Sequence, residues 1–131
     1  MKKNEYAQDW LKRAKSNIAR AKLGKSSEEV FYEDLCFDIQ QSVEKAFKAV
    51  CVLENVVFPK THNIAYLIEL LEEKGINVPE QILESKILND YAVESRYPGD
   101  YEPVEEEDYL RAIEIADDVL NWVEIYFKNK G

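Results

Sequence analysis

Five side chains at helical spacing, Asp34, Asp38, Gln41, Lys45 and Lys48, carry the groups in this sequence best suited to grip a polar ligand. Steps of three and four place them within about 80° of one another on a helical wheel, with Glu44 at the border. Two carboxylates, an amide and two ammonium groups in a row can bind a polar ligand. The same spacing also suits a solvated face on which Asp38, Gln41 and Lys45 pair locally. A second set, Ser95-Arg96-Tyr97-Pro98-Gly99-Asp100-Tyr101, places an arginine just before a helix-breaking Pro-Gly. There its fork of donors can meet phosphate or carboxylate, or simply answer a helix dipole. His62, the sole histidine, follows Thr61 at a predicted helix start, where it braces the turn or acts as an acid–base group.

Several chemistries have no footing. The chain has no Gly-rich phosphate loop, Walker lysine motif, nucleophile elbow or His-Glu-x-x-His. One histidine and 2 cysteines supply too few soft ligands for a Cys/His metal site, and no cofactor is expected. Cys36 and Cys51 fall in one predicted helix, roughly 22 Å apart, which is beyond disulfide reach and suits a reducing compartment.

The elements that must position these groups are helical. Ala7, Leu11, Ala14, Ile18 and Ala21 predict a helix near 5–23. Ser26-Ser27-Glu28-Glu29 resembles a capped start, and Leu35, Ile39, Val43, Ala46, Val50 and Leu53 mark a long helix over about 29–54. Thr61 is the expected N-cap of a third helix ending at Gly75, and Pro79 opens a fourth that runs to Tyr97. Glu105-Glu106-Glu107-Asp108 places acids at the start of a last helix reaching about 128. The expectation is one domain spanning 1–131: an all-α, up-and-down bundle of four to five helices with an irregular segment around 98–104.

Charge is graded along the 131 residues: +6 over residues 1–25, −6 over 26–79 and −9 over 80–131. The acidic body argues against broad nonspecific nucleic-acid binding. The basic first helix either meets RNA or an acidic surface, or is a solvated face paired with the acidic last helix. No apolar run approaches the ~20 residues of a membrane span, and no signal core follows the start, so a cytoplasmic location is expected.

The ordered set of Trp10-Leu11-x-x-Ala14, Asp34-x-Cys36-Phe37-Asp38-x-Gln40-Gln41-x-x-Glu44-Lys45-Ala46-x-Lys48-Ala49, Pro59-x-Thr61-His62-Asn63-Ile64 and Arg96-Tyr97-Pro98 resembles the HEPN family (higher eukaryotes and prokaryotes nucleotide-binding domain). The resemblance covers nearly the whole chain. It implies a helical bundle like the C-terminal helical domain of kanamycin nucleotidyltransferase, commonly a homodimer. Such members are often paired with a separately encoded minimal nucleotidyltransferase, in toxin–antitoxin or two-subunit arrangements.

On that basis Lys45, Lys48 and Arg96 would contact nucleotide phosphate, Gln41 would hydrogen-bond, and Tyr97 would stack on a base. Asp34 and Asp38 would line the cleft, with Glu44 and His62 in support. Other members are metal-independent RNases with an Arg-x(4–6)-His motif. Here Tyr101, Glu102 and Pro103 stand where that histidine would fall, and no histidine follows. The position of Asp38 is often histidine in close relatives. The resemblance therefore favours a binding or interaction module. A divergent RNase using Arg96 and His62 is one alternative, and a purely structural dimerisation partner is another.

Overall fold

A computed structural model describes residues 2–92, 99 and 102–130 of the chain. Its elements are α1 (Lys3–Lys22), α2 (Tyr32–Leu53), α3 (Ile64–Glu73), α4 (Glu80–Leu83), a 3-10 helix (Glu84–Tyr91) and α5 (Glu106–Lys130). The described residues contain no strand.

α2 is the axis of the molecule. From Leu35 to Cys51 only Phe37, Gln41 and Lys45 escape full burial, because α1, α5 and the 3-10 helix enclose the rest. α1 runs antiparallel to α2: Asn17 meets Asp38, Ala14 meets Ser42, and Trp10 meets Lys48. α5 runs parallel to α2, with Tyr32 beside Tyr109 and Phe47 beside Trp122. Phe47, Ile39, Val43, Leu67, Leu71, Leu88, Val119 and Val123 form the centre of one continuous apolar core.

The charge gradient has a structural counterpart. Lys15 pairs with Glu124 and Lys22 with Asp117, each at 2.8 Å, so part of the basic face of α1 is neutralised by acidic α5. Tyr126 and Lys130 also pair with Glu54 at the end of α2. Burial pushes the Glu54 carboxyl up, but the hydrogen bonds from Tyr126 and Lys130 hold it below its ordinary range.

Three boundaries differ from the sequence expectation. Ser27 does not cap α2; its Oγ accepts the Glu29 N–H in a local turn, and the helix starts after Phe31. Nor is Thr61 the cap of α3. Its Oγ1 accepts the Asn63 N–H, whereas Asn63 Oδ1 accepts the Tyr66 N–H at 3.2 Å and so caps the helix. The expected fourth α-helix is a single α turn that tightens into a 3-10 helix ending at Tyr91. The reason is a period of three: Ile82, Ser85, Leu88 and Tyr91 line one edge of a 3-10 spiral and face inward, while Ile87 is left exposed. Ser85 contributes by donating its hydroxyl to the Ile82 carbonyl at 2.7 Å.

Helix ends are built economically. At the end of α3, Gly75 adopts φ +93°, its N–H bonds the Glu72 carbonyl, and the Ile76 N–H reaches the Leu71 carbonyl. That is a Schellman closure, which needs a left-handed residue. Asn55, at φ 59°, closes α2 the same way.

Candidate functional site

The polar stripe of α2 is not a solvated face. α1 and the 61–63 turn cover most of it, and every buried side-chain nitrogen and oxygen among the described residues has a hydrogen-bond partner. Two linked groups of side chains result.

The first joins α1 to α2. Arg20 grips Asp38 with both Nε, at 2.9 Å, and Nη2. Asn17 Nδ2 donates to the same carboxylate at 3.3 Å, and Lys45 Nζ donates to Asn17 Oδ1 at 2.8 Å. The hydrogen bond to Asp38 and its charge raise the Arg20 guanidinium pKa further. Lys45 moves the other way: desolvation lowers its ammonium pKa, Glu44 and Asp38 oppose the shift, and Arg13 and Arg20 add to it.

The second group joins α2 to the turn before α3. Glu44 and Lys48 are almost fully buried, with side chains 3% and 8% exposed, and pair at 2.8 Å. Lys48 Nζ also donates to the Thr61 carbonyl at 2.9 Å and lies 5.4 Å and 5.6 Å from the Trp10 and Phe58 ring centroids. Those rings pack edge to face at 6.2 Å. The other oxygen of Glu44 faces His62 Nδ1 at 2.9 Å and receives Gln40 and Gln41 amide donors at 3.3 Å and 3.2 Å. Gln40, fully buried, also donates to the His62 carbonyl at 2.9 Å.

The structure therefore divides the expected site residues. Asp38, Glu44 and Lys48 are interior groups that hold α1, α2 and the 61–63 turn together. Asp34, Gln41 and Lys45 lie on the outward strip of α2 with Phe37, and half-exposed His62 flanks that strip beside Gln41. Gln41 donates from Nε2 to Gln40 and Glu44, leaving its carbonyl oxygen as an acceptor. Arg96 and Tyr97 lie outside the described residues. The flanks of their segment are anchored: Asn89 bridges Asn63 and the Ile64 N–H, and the Val104 N–H bonds Glu33.

Sequence reasoning missed Asn17, Arg20 and Gln40. A signal existed for two of them. Asn17 interrupts the Ala14–Ile18–Ala21 core face of α1, and Gln40 sits on the Cys36–Phe47–Cys51 side of α2. A polar residue on an apolar face has to find a partner.

The HEPN domain model matches residues 7–126 of this chain. The chain belongs to the HEPN family. It is 29% identical to a candidate toxin of Methanocaldococcus jannaschii across 96% of this chain and 91% of that protein. Among solved structures it is similar to the crystal structure of an archaeal HEPN homologue: TM-score 0.70 and 31% identity, over 90% of this chain and 94% of the other. HEPN membership and helical architecture thus agree with the sequence resemblance, and the match runs through both helices that form the polar seam. No helix among the described residues is long and apolar enough to cross a membrane.

Proposed function

We propose that this HEPN protein is a cytoplasmic, homodimeric binding subunit of a toxin–antitoxin or two-subunit system. In that role it holds a nucleotide and acts with a minimal nucleotidyltransferase. The observation carrying the reading is the outward strip of α2, where Gln41 and Lys45, with Arg20 of α1 beside them, come to the surface while each is held in place by interior partners. The near full-length match to a candidate toxin supports the biological setting. Lys45 and Arg20 would meet phosphate, and the Gln41 carbonyl would accept from an exocyclic base amine. From the family resemblance, Arg96 and Tyr97, which lie outside the described residues, would serve as phosphate clamp and stacking ring. Lys48, buried behind Trp10 and Phe58, acts as a strut for the 61–63 turn.

Calorimetric titration of ATP and GTP tests this reading. Binding is expected in the micromolar-to-millimolar range, roughly −4 to −8 kcal/mol, because the surrounding acidic body opposes an anion. Arg96→Ala should weaken it most, Arg96→Lys should not fully restore it, and Lys45→Ala should weaken it too. No binding at millimolar nucleotide, or silence of both cation variants, overturns the proposal.

A second reading, a divergent metal-independent RNase, draws on one observation: the buried Glu44 orients the imidazole of His62, as a carboxylate orients a general base. The missing histidine after Arg96 weighs against it. Single-turnover incubation with a structured RNA is therefore expected to show no cleavage above buffer. Cleavage that vanishes in His62→Ala would install this reading in place of the first.

A further inference from the structure

One end of the bundle, remote from the polar seam's Glu44–His62 half, gathers the ends of three helices. Tyr109 on α5 donates its hydroxyl to the Ala21 carbonyl of α1 at 2.7 Å. Its ring lies 5.4 Å from Tyr32 at the start of α2, and the Tyr32 hydroxyl donates to Glu106. Beside this junction each segment leaves one large apolar side chain in water. They are Leu23 after α1, Phe31 before α2 and Leu110 on α5, exposed by 77%, 62% and 52%. None is needed by the core, whose contacts at this end come from Val30, Tyr32, Tyr109 and Ile113.

The rim of this patch is acidic. Glu105, Glu106, Glu107 and Asp108 open α5, and Glu28 and Glu29 precede Phe31. Two bases share this rim: Lys22 is paired with Asp117, and Lys25, 4.8 Å over the Tyr32 ring, keeps its charge but is outnumbered by the acids. An apolar centre inside a rim that is acidic on balance favours a partner of the opposite sign. Two copies meeting symmetrically here would bring acidic rim against acidic rim, and nucleic acid or an anionic membrane would be repelled.

We infer that the Leu23–Phe31–Leu110 patch is a docking surface for a basic amphipathic segment of another protein, its apolar side on the three side chains and its Lys or Arg residues on the glutamate rim. The surface lies apart from the Gln41–Lys45 strip and does not depend on the nucleotide reading.

The test uses the full chain and a fluorescent, helical Leu/Lys peptide with one apolar face. Controls are a scrambled peptide of identical composition and a Leu/Glu counterpart. Micromolar binding of the first is expected, with about tenfold weaker binding of the scrambled peptide and none of the acidic one. The double variant Leu23→Ser/Phe31→Ser should lose about tenfold while melting no lower than wild type, since both side chains are exposed and serine is a favourable N-cap for α2. Glu28→Gln/Glu107→Gln should weaken binding and flatten its salt dependence. Equal binding of the scrambled peptide, or no loss in the serine variant, overturns the proposal. So does a dimer by sedimentation that the serine variant converts to monomer, or attachment to phosphatidylglycerol vesicles that it abolishes. Nucleotide titration of the serine variant should match wild type, which keeps this result separate from the fate of the nucleotide site.

Discussion

Glu44→Ala is expected to destabilise the protein by about 3–5 kcal/mol, because it leaves the ammonium of Lys48 buried without its counter-charge. Glu44 is the junction of the seam: Lys48, His62, Gln40 and Gln41 all converge on its two oxygens. Guanidinium denaturation measures the loss directly. Glu44→Gln should cost less, since the amide oxygen still accepts from Lys48. The double variant Glu44→Leu/Lys48→Met should recover most of the loss, because both charges disappear together and the methionine keeps contact with Trp10 and Phe58. This double variant keeps the test decisive if the alanine chain does not fold. A cost below about 1 kcal/mol for Glu44→Ala would mean that the pair is hydrated and the seam is not an interior network.

This junction also shows what the sequence could and could not convey. Helical periodicity placed α1, α2 and α5, because amphipathic spacing is a local property. It also grouped Asp38, Gln41, Lys45 and Lys48 on one side of α2. It could not say that Lys48 is an interior strut while Lys45 reaches the surface. That difference is made by Trp10 and Phe58, which lie far from Lys48 in sequence and reach it only when α1 and the loop after α2 fold back. The same holds for Asp38, whose partners Asn17 and Arg20 come from α1. Around Glu84–Tyr91 the failure was one of period. Leu83, Ile87 and Tyr91 fit a helix of 3.6 residues per turn, so the buried Ser85, in step with Ile82 and Leu88 at intervals of three, was the cue to the tighter spiral. At the turn before α3, Thr61 and Asn63 are both good caps, and the hydrogen bonds that fix this turn come from residues elsewhere in the chain: Lys48 to the Thr61 carbonyl, Gln40 to the His62 carbonyl and Asn89 to Asn63.

Stability is expected to fall steeply as the pH rises from about 9 to 12, and Cys51 is the main cause. Burial pushes its thiol up from 9.0 to about 12, with Lys48 opposing weakly. Burial also raises the phenols of Tyr126 and Tyr109; hydrogen bonding to Glu54 raises Tyr126 further, and the charge of Cys36 adds to Tyr109. In the unfolded chain these groups release protons near their ordinary values, while the native state retains them. The folded protein therefore binds more protons in this window, so each step up in pH favours unfolding. Lys45 acts in the opposite sense, since its lowered amine makes the unfolded chain the better proton binder just below the ordinary lysine value. One amine does not offset a thiol and three phenols, since burial and the hydrogen bond to Glu106 raise Tyr32 as well. At about pH 11 Cys51 alone should remove about 3 kcal/mol relative to neutral pH. Guanidinium midpoints at about pH 8 and pH 11 give the comparison. Cys51→Val, which keeps the site apolar but has no proton to lose, should flatten the slope by about one proton. If the variant and the wild type fall in parallel, the thiol ionises as freely in the native state as in the unfolded one, and α2 is not the sealed axis that its burial implies.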